Sequence, residues 1–220
     1  MSKKLFVGMV LICFILGNAP QASALEARDV PVGHWAATAL RELNGHGVMQ
    51  GYEGFFRPDD EITRAEYAAL INRTFGFKKT APESVFADSG SDLGNWKDLA
   101  IMQGAYQGYL KGENGYARPD RNITREEAMV IISRVLKQEA TEGNTDFSDD
   151  GRISPWAKGN ITAMWREGYV SGSGGKLDPG SNLSRAEAAQ LLYNTTGELL
   201  DQAQAYDMEN KVFTNVTISV

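Results

Sequence analysis

The feature that most constrains this chain is a register: landmark residues return after 61 and then 60 positions. Trp35, Trp96 and Trp156 follow it, as do Gly47, Gly108 and Gly168, and Gly51, Gly112 and Gly172. Gly54, Gly115 and Gly175 keep the same offsets, with Pro58, Pro119 and Pro179, and with Arg64, Arg125 and Arg185. Six families of positions in one register mean three copies of a unit of about sixty residues. In such an architecture each unit leans on its neighbours for a core.

The sharpest local signal within a unit is Ile62-Thr63-Arg64-Ala65-Glu66, which returns as Ile123-Thr124-Arg125-Glu126-Glu127 and as Leu183-Ser184-Arg185-Ala186-Glu187. A hydroxyl residue followed three positions later by Glu is a capping box. The hydroxyl accepts the N3 amide and the carboxylate reaches back to the N-cap amide. The apolar residue before the cap sits where it can staple to the first turn, and Tyr67 can complete that staple in the first copy. The arginine at N1 faces the positive end of the helix dipole three times over, so a negative partner is expected for each.

A second helix is expected upstream of each box. It starts near the tryptophan and keeps an apolar face through Leu40 and Leu43, through Ile101, and through Ile161 with Met164. Gly47, Gly108 and Gly168 suit a left-handed C-cap. Apolar pairs follow (Val48-Met49, Tyr109-Leu110, Tyr169-Val170), then a loop with two further glycines and a proline. Leu70-Ile71, Ile131-Ile132 and Leu191-Leu192 are core positions of the capped helices. Phe86-Ala87-Asp88 and Phe147-Ser148-Asp149 open the second and third units, where the first keeps only Asp29-Val30-Pro31.

Residues 1–24 read as a signal peptide: Lys3 and Lys4, an apolar run from Leu5 to Gly17, then Ala22-Ser23-Ala24. The run is shorter than the roughly 20 residues a membrane span needs. Cleavage would leave a chain starting at Leu25, with units over 25–84, 85–145 and 146–197, and 198–220 as a tail or the start of a cargo region. It would also remove Cys13, the single cysteine, and with it any disulfide or thiolate chemistry. Losing the two lysines takes the net charge from −6 to −8, with 20 basic residues against 28 acidic. That balance argues against nucleic acid or an anionic membrane surface as a partner, so an anionic ligand would have to be caught by local arginines. Val212 to Val220 alternates as a strand would but has no partner strand, and is expected to pack poorly.

Trp-Ala near the first helix, Gly-x-x-x-Gly, the Arg-Pro-Asp loop, Thr-Arg-Ala-Glu and Phe-x-Asp together resemble the S-layer homology domain, from about Asp29 to Gly197. The resemblance implies a mainly α fold, in which three tandem helix-loop-helix repeats form a pseudo-threefold bundle. Capping-box helices lie at its centre, the other helices project as prongs, and grooves separate the units. It also implies a function: non-covalent anchoring of an exported protein to the bacterial cell wall. The partner would be a secondary wall polysaccharide bearing pyruvylated N-acetylmannosamine.

A pyruvate ketal is a carboxylate on a sugar. Arg64, Arg125 and Arg185, beside free amides at a helix start, are candidates to hold it, each contact contributing about 1.5–3 kcal/mol. Trp35, Trp96 and Trp156 would stack on the sugar, and Gly47, Gly108 and Gly168 would let it approach the backbone. Asp29, Asp88 and Asp149 complete the candidate carbohydrate-binding set. Structural readings stand beside these: the arginines as ion pairs with Asp29, Asp88 or Asp149, or with Asp59 and Asp120, and the tryptophans as core of the prongs.

The units have diverged. Asp178 stands where the others have Arg57 and Arg118, and Glu126 adjoins Arg125, so unequal binding by the grooves is expected. His34 and His46 occur only in the first unit and fall outside a repeated site. Asp146 to Gly151 lacks EF-hand spacing, and neither metal nor cofactor is expected. The competing functions are a cell-wall glycosidase or its accessory subunit, and an S-layer lattice component. The carboxylates in register, Glu66, Glu127 and Glu187, are already committed to capping boxes, and no acid–nucleophile pair stands out. The expectation is therefore a secreted cell-surface binding module and not an enzyme.

Overall fold

A computed structural model describes residues 27–82 and 85–210, with side chains to residue 197. The expected signal peptide over residues 1–24 and the alternating segment from Val212 to Val220 lie outside the described residues. Each capping box starts a helix: α2 (Arg64–Phe75), α4 (Arg125–Val135) and α6 (Arg185–Asn210). The reciprocal bonds form in all three. The Glu66 amide donates to Thr63 Oγ1 at 3.2 Å and the Thr63 amide to Glu66 Oε2 at 2.8 Å. The corresponding distances are 3.4 and 3.0 Å for Thr124 with Glu127, and 3.2 and 2.9 Å for Ser184 with Glu187.

The upstream helices are α1 (Ala37–Gly45), α3 (Trp96–Tyr106) and α5 (Pro155–Arg166). Each ends just before its expected glycine, and Gly47, Gly108 and Gly168 take φ of 69°, 76° and 78°. The loop to the next capping box is held by the aspartate that opens the unit. Asp29 accepts from the amides of Phe56 and Arg57 at 2.9 and 2.7 Å, Asp88 from Ala117 and Arg118 at 2.7 and 2.8 Å, and Asp149 from Leu177 and Asp178 at 2.9 and 2.8 Å. The second residue of each pair lies in the left-handed region, with φ of 54° at Arg57, 53° at Arg118 and 50° at Asp178. A non-glycine residue costs energy there, and two charge-assisted bonds to its turn offset that cost.

Helix packing does not follow the sequence unit. α3 packs on α2, α5 on α4, and α1 on α6. Each upstream helix therefore lies against the capped helix of the preceding unit, and the first helix of the chain closes on the last. Leu40 and Leu43, Ile101, and Ile161 with Met164 are fully buried in these contacts. Burial of each such side chain stabilises the fold by about 1.5–3 kcal/mol.

At the centre, the residues before the capping boxes form a closed circuit of backbone bonds. The Ile62 amide donates to the Leu183 carbonyl (3.0 Å), Leu183 to Ile123 (2.9 Å) and Ile123 to Ile62 (3.0 Å). This is the pseudo-threefold axis. Tyr67 also reaches across units: its buried hydroxyl donates to the Ala128 carbonyl at 3.2 Å. The fold is mainly α, and β pairing among the described residues is confined to isolated bridges.

Candidate functional site

The helix starts offer no open amides to a ligand, which corrects the expectation that an anion could bind there. The N-cap and N3 amides are taken by the capping boxes, and the neighbouring unit takes the two between. The Arg64 amide donates to the Arg121 carbonyl and that of Ala65 to Pro119; Arg125 and Glu126 donate to Ser181 and Pro179; Arg185 and Ala186 donate to Asp60 and Pro58, all at 2.9–3.0 Å.

The arginine side chains cross the same seams. Arg64 Nε donates to the Ala117 carbonyl (2.8 Å), and Nη1 pairs with Glu127 (3.1 Å). Arg125 Nε donates to the Leu177 carbonyl (2.7 Å), and its guanidinium pairs with Glu187. Arg185 Nε makes the equivalent bond to the Phe56 carbonyl at 2.8 Å. The negative partner of Arg64 and of Arg125 is thus the capping-box glutamate of the next unit. None of the aspartates considered for them holds these arginines: Asp29, Asp88 and Asp149 clamp loop amides, and Asp120 pairs with Lys97.

Electrostatics at the seam between the first two units follow from burial. Desolvation pulls the Arg64 guanidinium below its ordinary value, opposed by the charge of Glu127. Desolvation pushes Glu127 up, but the Arg121 hydrogen bond, the Thr124 amide and the Arg64 charge outweigh it and hold the carboxyl below its usual range.

The tryptophans stand outside the core: Trp35, Trp96 and Trp156 are 59, 49 and 53% exposed. Gly47, Gly108 and Gly168 are exposed too, and a Cβ at any of them would meet nothing within 4 Å. Two cavities of about 380 Å³ between units take in three of these six residues, Gly47, Trp96 and Trp35. The first joins Gly47 and Arg73 of the first unit to Trp96 of the second. The second joins Tyr169 and Asn194 of the third unit to Trp35 of the first, and reaches Arg125 and Glu187. Of the candidate residues, Trp96 with Gly47, and Trp35 with Arg125, are therefore brought to groove walls, while Arg64, Arg185, Trp156, Gly108, Gly168 and the three aspartates are absent from both.

Sequence reasoning passed over Arg73, Asn194 and His46, which line the grooves. Arg73 and Arg134 share the repeat register and donate to equivalent carbonyls, Val48 and Tyr109, each at 3.2 Å. Asn194 takes the third position and donates to Tyr169 at 3.2 Å. That register was the signal that could have found them. His46, set aside as unrepeated, lies on the wall of the first groove. Among the described residues no cluster of three or more His, Cys, Asp or Glu could hold a metal ion, and no helix is long and apolar enough to cross a membrane.

Fold and grooves together define a ring-closed, three-unit helical module with its clefts at the seams. The sequence profile of the S-layer homology domain matches residues 28–68 and 146–189, the first and third units. These two units are S-layer homology domains, and the second unit repeats their capping box, clamp and prong.

Among its relatives is an amylopullulanase of Thermoanaerobacterium thermosulfurigenes, 32% identical over 73% of this chain but only 9% of that protein. The S-layer protein EA1 of Bacillus anthracis is 27% identical over 96% of the chain and 25% of its own length. A cellulosome-anchoring protein of Acetivibrio thermocellus is 29% identical over 66% of the chain and 33% of its length. The chain thus spans a third or less of each of these relatives. The S-layer homology domains and the S-layer relatives indicate a secreted cell-surface protein.

Proposed function

We propose that this chain is a cell-surface anchoring module without catalysis of its own, binding an anionic, pyruvylated secondary wall polysaccharide in the grooves between its units. The observation that carries the reading is the pairing of an exposed tryptophan from one unit with the glycine-capped helix end and capped helix of the unit before it. A half-exposed indole over an open cleft leaves an apolar face wet unless a ligand covers it. A sugar ring supplies both that apolar face and hydroxyls for the surrounding polar groups. The names of the S-layer and anchoring relatives support attachment at the cell surface. The enzyme-named relative shares only 9% of its length with this chain and gives no ground for a catalytic role.

In this reading the tryptophans and glycines form the sugar platform, and the exposed cations at the groove rims meet the carboxylate. The unit-opening aspartates hold the loops in shape, and Arg64, Arg125 and Arg185 bind the units to one another. The test is sedimentation with purified cell walls, intact or stripped of pyruvate by mild acid. Wild-type protein should co-sediment with intact walls and be largely lost from stripped ones. A protein with Trp35, Trp96 and Trp156 all changed to Ala should stay folded and fail to bind. Undiminished binding by that triple variant would overturn the groove as the site.

A further inference from the structure

The two cavities have nearly the same size but not the same chemistry. The groove between the first and second units carries Arg73 and Lys78 beside Trp96, and no carboxylate lines it. Arg73 uses one guanidinium nitrogen on the Val48 carbonyl, leaving the rest of its fork for a ligand. The groove between the third and first units has lost this charge. Asn194 replaces Arg73 in register, and the one cation on the wall, Arg125, is neutralised by Glu187.

That second groove carries neutral polar groups instead, and sets Tyr169 beside Trp35 where the first sets Phe77 beside Trp96. Gln190 donates to Asn194 Oδ1 at 2.7 Å, and Asn194 donates to the Tyr169 carbonyl, so each amide keeps a second hydrogen to offer. Tyr169 lines this groove, whereas its counterparts are buried: Val48 in the first unit, and in the second Tyr109, whose hydroxyl lies 2.6 Å from Asn72 Oδ1. Gly104 explains the difference. A Cβ there would come within 2.8 Å of the Tyr109 ring, so glycine makes the room Tyr109 occupies, while the third unit fills the matching position with the buried Met164.

We propose that the groove of the third and first units is a site for an uncharged sugar residue, and that the groove of the first and second units takes the carboxylate-bearing one. The chain then reads two chemically different residues of one glycan. This division rests on the reading of the grooves as glycan sites. A groove without net charge desolvates a carboxylate with no compensating cation, which is costly, but accommodates hydroxyls on amides and an apolar ring face on Trp35 and Tyr169. A cationic groove does the reverse.

The division can be tested by titrating the full chain with the methyl glycoside of N-acetylmannosamine and with its pyruvate ketal. Binding is followed at the indole N–H resonances, assigned by Trp35→Phe and Trp96→Phe. The ketal should shift the Trp96 signal at about tenfold lower concentration than the Trp35 signal, and the neutral glycoside should show the opposite order. Lys78→Gln, an exposed change that leaves the fold alone, should weaken the ketal at Trp96 several-fold and leave the neutral probe unchanged. Asn194→Arg should bring the ketal to the Trp35 groove about tenfold more tightly. Equal affinity of the ketal for both grooves, or no gain from Asn194→Arg, would overturn the division alone. If neither probe shifted any indole, the glycan reading of the grooves would fall with it.

Discussion

Arginine at N1 of three helices reads locally as a mistake, because the helix dipole disfavours a cation there. The structure resolves the conflict at Arg64, whose side chain leaves its own helix for the Ala117 carbonyl and Glu127 of the next unit. Arg64→Ala is expected to lower stability by roughly 1–3 kcal/mol, since it leaves the Ala117 carbonyl without its donor and Glu127 with Arg121 as its remaining cation. Arg64→Lys should recover only part of that, because an ammonium cannot serve both partners as the planar fork does. Chemical denaturation of the three proteins measures this, and an unchanged midpoint for Arg64→Ala would remove the seam role.

The same seam, together with the loop clamp of the third unit, predicts a pH dependence. Glu127 and Asp149 are both held below their ordinary values, so their contribution is fully present above the unfolded carboxylate pKa of about 4. It is lost as the pH falls through their lower folded values. Melting temperature should be level from about pH 7 to 5 and drop below about pH 4, and Glu127→Gln should flatten part of that drop.

At the scale of elements, glycines that look alike in the repeat differ in purpose. Gly108 ends α3 with open space around it, so Gly108→Ala carries mainly the left-handed backbone penalty, about 1 kcal/mol. Gly112 adds a steric term: a Cβ there would lie 2.8 Å from the Tyr116 carbonyl and 2.5 Å from the Phe86 ring. Gly172 meets Phe147 in the same way at 2.7 Å. The Phe of each Phe-x-Asp thus packs on the loop glycine of its own unit. Gly112→Ala and Gly172→Ala should each cost roughly 2–4 kcal/mol, clearly more than Gly108→Ala. Differential scanning calorimetry on the three variants checks the order, and equal losses would contradict it.

At the scale of the whole molecule, each upstream helix borrows its partner from the preceding unit, and α1 borrows from the far end of the chain. An open array of repeats could lose its last member and keep the others. A closed ring cannot. A chain ending at Thr145 would leave the Leu40 and Leu43 face of α1 without α6, and Ile62 without the Leu183 carbonyl. The full chain should melt in one cooperative transition, and the shortened one should show no cooperative transition by near-ultraviolet circular dichroism. Independent melting of the first two units near the parent temperature would refute ring closure as the source of stability.

The sequence by itself determined the repeat, the capping boxes, the glycine-ended upstream helices and the family, because each is a short-range rule: a hydroxyl three residues before a glutamate, a glycine where φ turns positive. It also placed the tryptophans and glycines in one register, and the structure leaves both exposed. Only the tertiary structure decided what those positions meet. Periodicity shows that α1 and α2 each have an apolar face but not that the faces turn to different neighbours, since an apolar stripe carries no address. The arginine partners were invisible for the same reason, as Glu127 and Glu187 lie more than sixty positions away and already had a local role. The saturation of the helix starts likewise depends on carbonyls delivered across the threefold axis, and so on closing the ring.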